Sequence, residues 1–101
     1  MQYFLIVRQE AVEEMKAAYL YYESITEGLG ERFLSELHKR YSEIAKHPQA
    51  YGFIDGEKTI RDIKIRHFPY QVIYEIVDKN VVVLSVFNSY QNPSKNLHKN
   101  I

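Results

Sequence analysis

Hydrophobic positions fall into one short apolar run, two stripes of helical period and then three runs of strand character. Tyr3-Phe4-Leu5-Ile6-Val7 is rich in aromatic and β-branched residues, which predicts a buried strand. From Glu10 the period lengthens. Ala11, Met15, Ala18 and Tyr22, with Val12 and Tyr19 beside them, share one side, while Glu13, Glu14 and Lys16 take the other. This predicts an amphipathic helix ending near Tyr22 to Ser24. Gly28-Leu29-Gly30 supplies the backbone freedom for a tight turn. Beyond it, Phe33, Leu34, Leu37, Tyr41, Ile44 and Ala45 form a second helical stripe. On its solvent side Glu36 with Arg40 and Lys39 with Glu43 are opposite-charge pairs at i,i+4. His47-Pro48 stops the helix, because proline disfavours helical backbone in the residue before it.

After the turn-prone Asp55-Gly56, strands are expected over Thr59 to Arg66, Tyr70 to Val77 and Val81 to Phe87. In the first, Ile63 and Ile65 alternate with Asp62, Lys64 and Arg66, so strict alternation puts Lys64 and Arg66 on one face and Arg61 with Ile63 on the other. The third is apolar on both faces, which suits a central strand. Short connections at His67 to Pro69 and Asp78-Lys79-Asn80 favour antiparallel neighbours. The fold expected is α+β in the order β-α-α-β-β-β, with a two-helix hairpin packed on one face of a mainly antiparallel sheet. Met15, Phe33, Leu37, Ile44, Ile63, Val72 and Val83 are expected in or near the core. Residues 1–93 are read as a single domain and 94–101 as a short C-terminal tail.

The 101 residues match the size of one domain. The absence of cysteine removes disulfides, thiolate nucleophiles and thiolate zinc sites, and suits a reducing compartment. No basic-then-apolar leader opens the chain and no run approaches the roughly 20 apolar residues of a membrane span, so a cytoplasmic protein without a membrane partner is expected. Formal charge is zero, yet residues 1–57 hold 6 Lys/Arg against 10 Asp/Glu, net −4, and residues 58–101 hold 7 against 3, net +4. That asymmetry points the second half toward an anionic partner.

No Gly-Lys-Ser/Thr phosphate loop follows Gly28 and Gly30, and His38, His47, His67 and His98 show no metal-binding spacing. No cofactor, metal or small-molecule substrate is expected. Of the nine tyrosines, Tyr19, Tyr22, Tyr41, Tyr70 and Tyr74 sit on apolar stripes and are assigned to packing rather than to base stacking.

Gly28-Leu29-Gly30-Glu31-Arg32-Phe33, Ile44 to Pro48, Arg66-His67-Phe68-Pro69-Tyr70-Gln71-Val72-Ile73-Tyr74-Glu75 and Val86-Phe87-Asn88 to Pro93 occur in that order. In that order they resemble the RelE/ParE superfamily, the toxin half of bacterial type II toxin–antitoxin pairs. Phe-Pro-Tyr-x-x-x-Tyr with a downstream Val-Phe-Asn-x-x-x-Asn-Pro is the most specific part. The resemblance implies a toxin of the plasmid-stabilisation type that inhibits growth and is neutralised by a cognate antitoxin. It also implies two kinds of target. RelE-like toxins cleave messenger RNA at the ribosomal A site with clustered basic residues, whereas ParE-like toxins inhibit DNA gyrase.

Carried across by position, the second lysine of the RelE-type Lys-x-Lys falls at Lys64 and the first at Asp62. The arginine after the turn tyrosine falls at Gln71, and the basic positions after the last strand fall at Asn88, Ser89, Tyr90 and Gln91. None of these last residues is an efficient acid or base near neutral pH. Lys64, Arg66 and Tyr90 are the remaining candidates for catalysis, with His67 as a general acid or as a polar residue of the turn. Lys58, Arg61, Lys64, Arg66 and His67 are the candidates for binding target or antitoxin. The expectation is a toxin acting by binding its target, ParE-like, with DNA gyrase in view. The alternatives are a ribosome-dependent endoribonuclease and a decayed toxin that retains only antitoxin binding.

Overall fold

Seven segments follow one another in the expected order in a computed structural model that describes residues 2–90. They are β1 (Phe4–Val7), α1 (Gln9–Ile25), α2 (Leu29–Lys46), a 3-10 turn (Pro48–Ala50), β2 (Ile60–Lys64), β3 (Tyr70–Val77) and β4 (Asn80–Asn88). The predicted tail, 94–101, lies outside the described residues. The sheet runs β1-β4-β3-β2, antiparallel except for the parallel pair β1 and β4. The helical hairpin covers one face. Phe33, Leu37 and Ile44 of α2 and Ala11 and Ala18 of α1 are buried together with Ile63, Val72, Tyr74, Val81, Val83 and Val86, and Met15 packs at the margin. The Tyr74 hydroxyl donates to the Pro48 carbonyl at 2.7 Å, so its polar end is satisfied inside the core.

The joint between the helices is built on two glycines with different tasks. Gly28, at φ 88°, takes the left-handed backbone that turns α1 into α2. Gly30, expected in the turn, lies instead in the first turn of α2 and is buried against α1. The Glu23 carboxylate accepts the N–H groups of both, at 2.9 Å each, and so satisfies donors that the start of a helix leaves open.

Three further expectations are corrected. β1 is an edge strand rather than a buried one, with Phe4 71% and Ile6 46% exposed on the face away from the helices. A short apolar run encodes extended backbone but not its place in the sheet. On α2 the ion pairs form at i,i+3, Lys39 to Glu36 at 3.2 Å and Arg40 to Glu43 at 2.9 Å, because Arg40 also turns its Nε toward the Lys64 carbonyl, 2.7 Å away. The third correction concerns β2, which stops at Lys64, two residues short of Arg66.

β4 is a central strand, as its two apolar faces predict, and it lies between β1 and β3. Its register slips by one residue, from Ile73 opposite Ser85 to Tyr74 opposite Val83, leaving Leu84 as the extra residue of a bulge. Beside the bulge, the Glu14 carboxylate of α1 accepts from Ser85 Oγ at 2.8 Å and from the Val86 N–H at 3.1 Å. These two bonds tie the first helix to the middle of the sheet.

Candidate functional site

β2 and β3 pair with Lys64 opposite Gln71 and Asp62 opposite Ile73. Since Ile63 and Val72 point to the helices, alternation sends Asp62, Lys64 and Gln71 to the other face. There the Gln71 amide donates to Asp62 Oδ2 at 3.0 Å, and its carbonyl accepts from Ser89 Oγ at 3.2 Å. Gln71 is buried, and burial pushes the Asp62 carboxyl above its usual range while nearby Lys64 pulls it back. The Ser89 N–H donates to the Pro69 carbonyl at 2.7 Å, and Asn88 Oδ1 accepts the Tyr90 N–H at 2.9 Å. These bonds fix the start of the segment after β4, while the Tyr90 side chain is 87% exposed.

The five basic candidates do not gather. Only Lys64 stands beside Asp62 and Gln71. Lys58 lies in the turn ahead of β2, at the opposite end of the strand, with φ 58°. That turn is organised by the Asp55 carboxylate, which accepts from Thr59 and Ile60 and is thereby held below its usual range. Arg61 is consumed structurally. It donates to the Tyr51 carbonyl at 2.6 Å and the Gln49 carbonyl at 3.3 Å, and its guanidinium sits 4.0 Å over the Phe53 ring.

Arg66 and Lys64 part company because β2 ends between them. The Ile65 N–H bonds to the Tyr70 carbonyl, His67 takes φ 71°, and the turn swings Arg66 and His67 over α2. There they line a hollow of about 340 Å³ with Glu36, Lys39, Arg40 and Glu43. The sequence places the α2 members of this hollow on a solvated surface. Their charged period along the helix was visible, but the turn that closes over them was not.

The patch around Gln71 therefore offers an amide, the Ser89 hydroxyl, a carboxylate and one lysine. General acid–base cleavage of a phosphodiester wants a proton acceptor, a proton donor and a cation at the phosphate in one place. Among the described residues no group of three or more His, Cys, Asp or Glu side chains is arranged to hold a metal ion, and no helix is long and apolar enough to cross a membrane.

Residues 5–93 match the family described as the ParE toxin of type II toxin–antitoxin systems, parDE. The fold is similar to that in a structure of the chromosomal ParDE system from P. aeruginosa, with a TM-score of 0.76 at 12% identity over 86% of this chain and 96% of that one. It is also similar to a free mutant of the E. coli toxin RelE, with a TM-score of 0.70 at 22% identity over 98% of this chain and 93% of that one. A third structure, mutant E. coli RelE in complex with a peptide of the antitoxin RelBc, superposes with a TM-score of 0.68 at 23% identity over 100% of this chain and 96% of that one. No curated protein matches the chain.

Proposed function

Because the chain belongs to the ParE toxin family of type II toxin–antitoxin systems, we propose that it inhibits growth by binding DNA gyrase rather than by cutting messenger RNA, and that a cognate antitoxin neutralises it. The observation that carries this reading is the bond between Gln71 and Asp62. At two positions where a nuclease of this superfamily needs cations, this chain holds a neutral amide and a carboxylate fastened to each other. A carboxylate beside a scissile phosphate adds negative charge where the transition state already accumulates it. Each electrostatic stabiliser absent from such a site costs roughly 100- to 1000-fold in rate.

The antitoxin partner is supported by family membership and by the related RelE, which has been captured with an antitoxin peptide. An antitoxin segment partly disordered when free would bind with coupled folding and a large negative heat-capacity change.

The test is a supercoiling assay with purified gyrase, relaxed plasmid and increasing amounts of this protein. Loss of supercoiling, restored when the antitoxin is added first, is the expected result. Undiminished supercoiling at a large molar excess of the toxin would overturn the reading.

A further inference from the structure

The two edges of the sheet are finished differently. Along β2 the residues whose backbone turns away from β3 are Ile60, Asp62 and Lys64, and each finds a partner. Asp55 Oδ1 accepts the Ile60 N–H at 2.9 Å, and the Ile54 N–H donates to the Ile60 carbonyl at 2.8 Å. The Asp62 N–H donates to the Gly52 carbonyl at 3.3 Å, and Arg40 Nε donates to the Lys64 carbonyl at 2.7 Å. The chain closes that edge itself.

β1 forms the opposite edge. The Phe4 N–H donates to the Lys79 carbonyl and the Arg8 N–H to the Val83 carbonyl, each at 3.0 Å, so the even-numbered residues bond to β4 while Tyr3, Leu5 and Val7 turn their backbone outward. The Ala45 carbonyl takes the Tyr3 N–H at 2.8 Å, but Leu5 and Val7 have no backbone partner on this side among the described residues. Proteins blunt such an edge with a charge, a proline or a bulge. Residues 3–7 hold neither charge nor proline, and their register with β4 is unbroken. Phe4 and Ile6 stand exposed beside this open edge.

The strand is also its own complement. Set two copies antiparallel about a two-fold axis at Leu5, and the Leu5 N–H and carbonyl of each meet those of the other, while the Val7 N–H of one meets the Tyr3 carbonyl of the other. In that register Phe4 lies beside Ile6 of the second copy on the exposed face, an aromatic against a β-branched side chain, and the symmetry repeats the pair. Gln2 falls opposite Arg8, so no like charges confront each other between the paired strands. A segment of another protein would have to be matched to this pattern, whereas a second copy already carries it.

We propose that two copies of this chain join edge to edge through β1, antiparallel about Leu5, so that their sheets become one. The contact is small, so the dimer is weak and forms as concentration rises. It does not depend on which target the toxin inhibits.

The first experiment is sedimentation of the free protein over a series of concentrations, which should show monomer passing into dimer. Phe4→Lys combined with Ile6→Lys sets lysines opposite each other in both pairs and should weaken self-association by about 10-fold or more. The melting temperature should hold, because both side chains stand in solvent. Cysteine trapping reads the register, and the cysteine-free chain gives it a clean background. An oxidised mixture of the Phe4→Cys and Ile6→Cys variants should yield a covalent dimer, and either variant alone should not. A chain that stays monomeric throughout, a double-lysine variant that dimerises like the parent, or cross-linking by a single variant equal to that of the mixture would each overturn the proposal. So would a monomeric chain whose affinity for the antitoxin falls with the same two lysines, which would give the edge to the antitoxin instead.

Discussion

The side-chain amide of Gln71 donates to the carboxylate of Asp62 across two neighbouring strands, 3.0 Å apart, on the sheet face opposite the helices. The two residues are diagonal neighbours in the register, since Gln71 lies opposite Lys64 and Asp62 opposite Ile73. The bond fastens an amide and a carboxylate to each other as a closed polar contact.

Truncating the amide should therefore cost stability. In Gln71→Ala the half-buried Asp62 carboxylate loses its amide donor and Ser89 Oγ loses its acceptor, which predicts a loss of about 1–3 kcal/mol. Urea unfolding of the variant measures it. A midpoint equal to the parent would mean that solvent already serves both groups.

Gly30→Ala sets two effects against each other. Helix propensity alone favours alanine by roughly 1 kcal/mol. A Cβ at this position, however, would lie 2.8 Å from the Tyr19 carbonyl oxygen, 2.8 Å from Tyr19 Cδ1 and 2.9 Å from Glu23 Oε1. Backbone cannot swing aside as a flexible side chain can, so overpacking by about 1–3 kcal/mol should win and lower the melting temperature. A more stable variant would show that the hairpin can open slightly.

Glu14 predicts a pH effect of definite sign. Burial raises its carboxyl above the ordinary value of 4.5, against the lowering pull of its bonds from Ser85 and Val86. A group protonated more readily when folded contributes stability that is full below its unfolded pKa and lost as pH rises through its folded one. In Glu14→Gln the amide oxygen can still accept both hydrogen bonds, and this loss disappears. Melting temperatures of parent and variant, measured from pH 4 upward, should diverge in the variant's favour as pH rises. Parallel curves would contradict the assignment.

Much of the architecture was legible because it rests on period. The stripe from Phe33 to Ala45 and the alternation in β3 each need only local geometry. What sequence hid was set by partners distant along the chain. Gly30 reads as a turn residue because glycine weakens helices, and only the closeness of Tyr19 makes it a helical one. Phe4 and Ile6 read as buried because their place at the sheet edge is decided by topology. The site was half legible. The departure from cationic residues at Asp62 and Gln71 was plain, but their bond required the register. The pairing of Lys64 with Arg66 failed because a strand's alternation holds only as far as the strand, and β2 ends at Lys64.

The central claim is that this toxin does not work as a nuclease, and primer extension on a message under translation tests it most directly. With the protein present and active in growth inhibition, the account predicts full-length extension products indistinguishable from those of the untreated message. Discrete stops at ribosomal A-site codons, appearing with the unmodified chain, would contradict it and return Lys64, Arg66 and Tyr90 to a catalytic role.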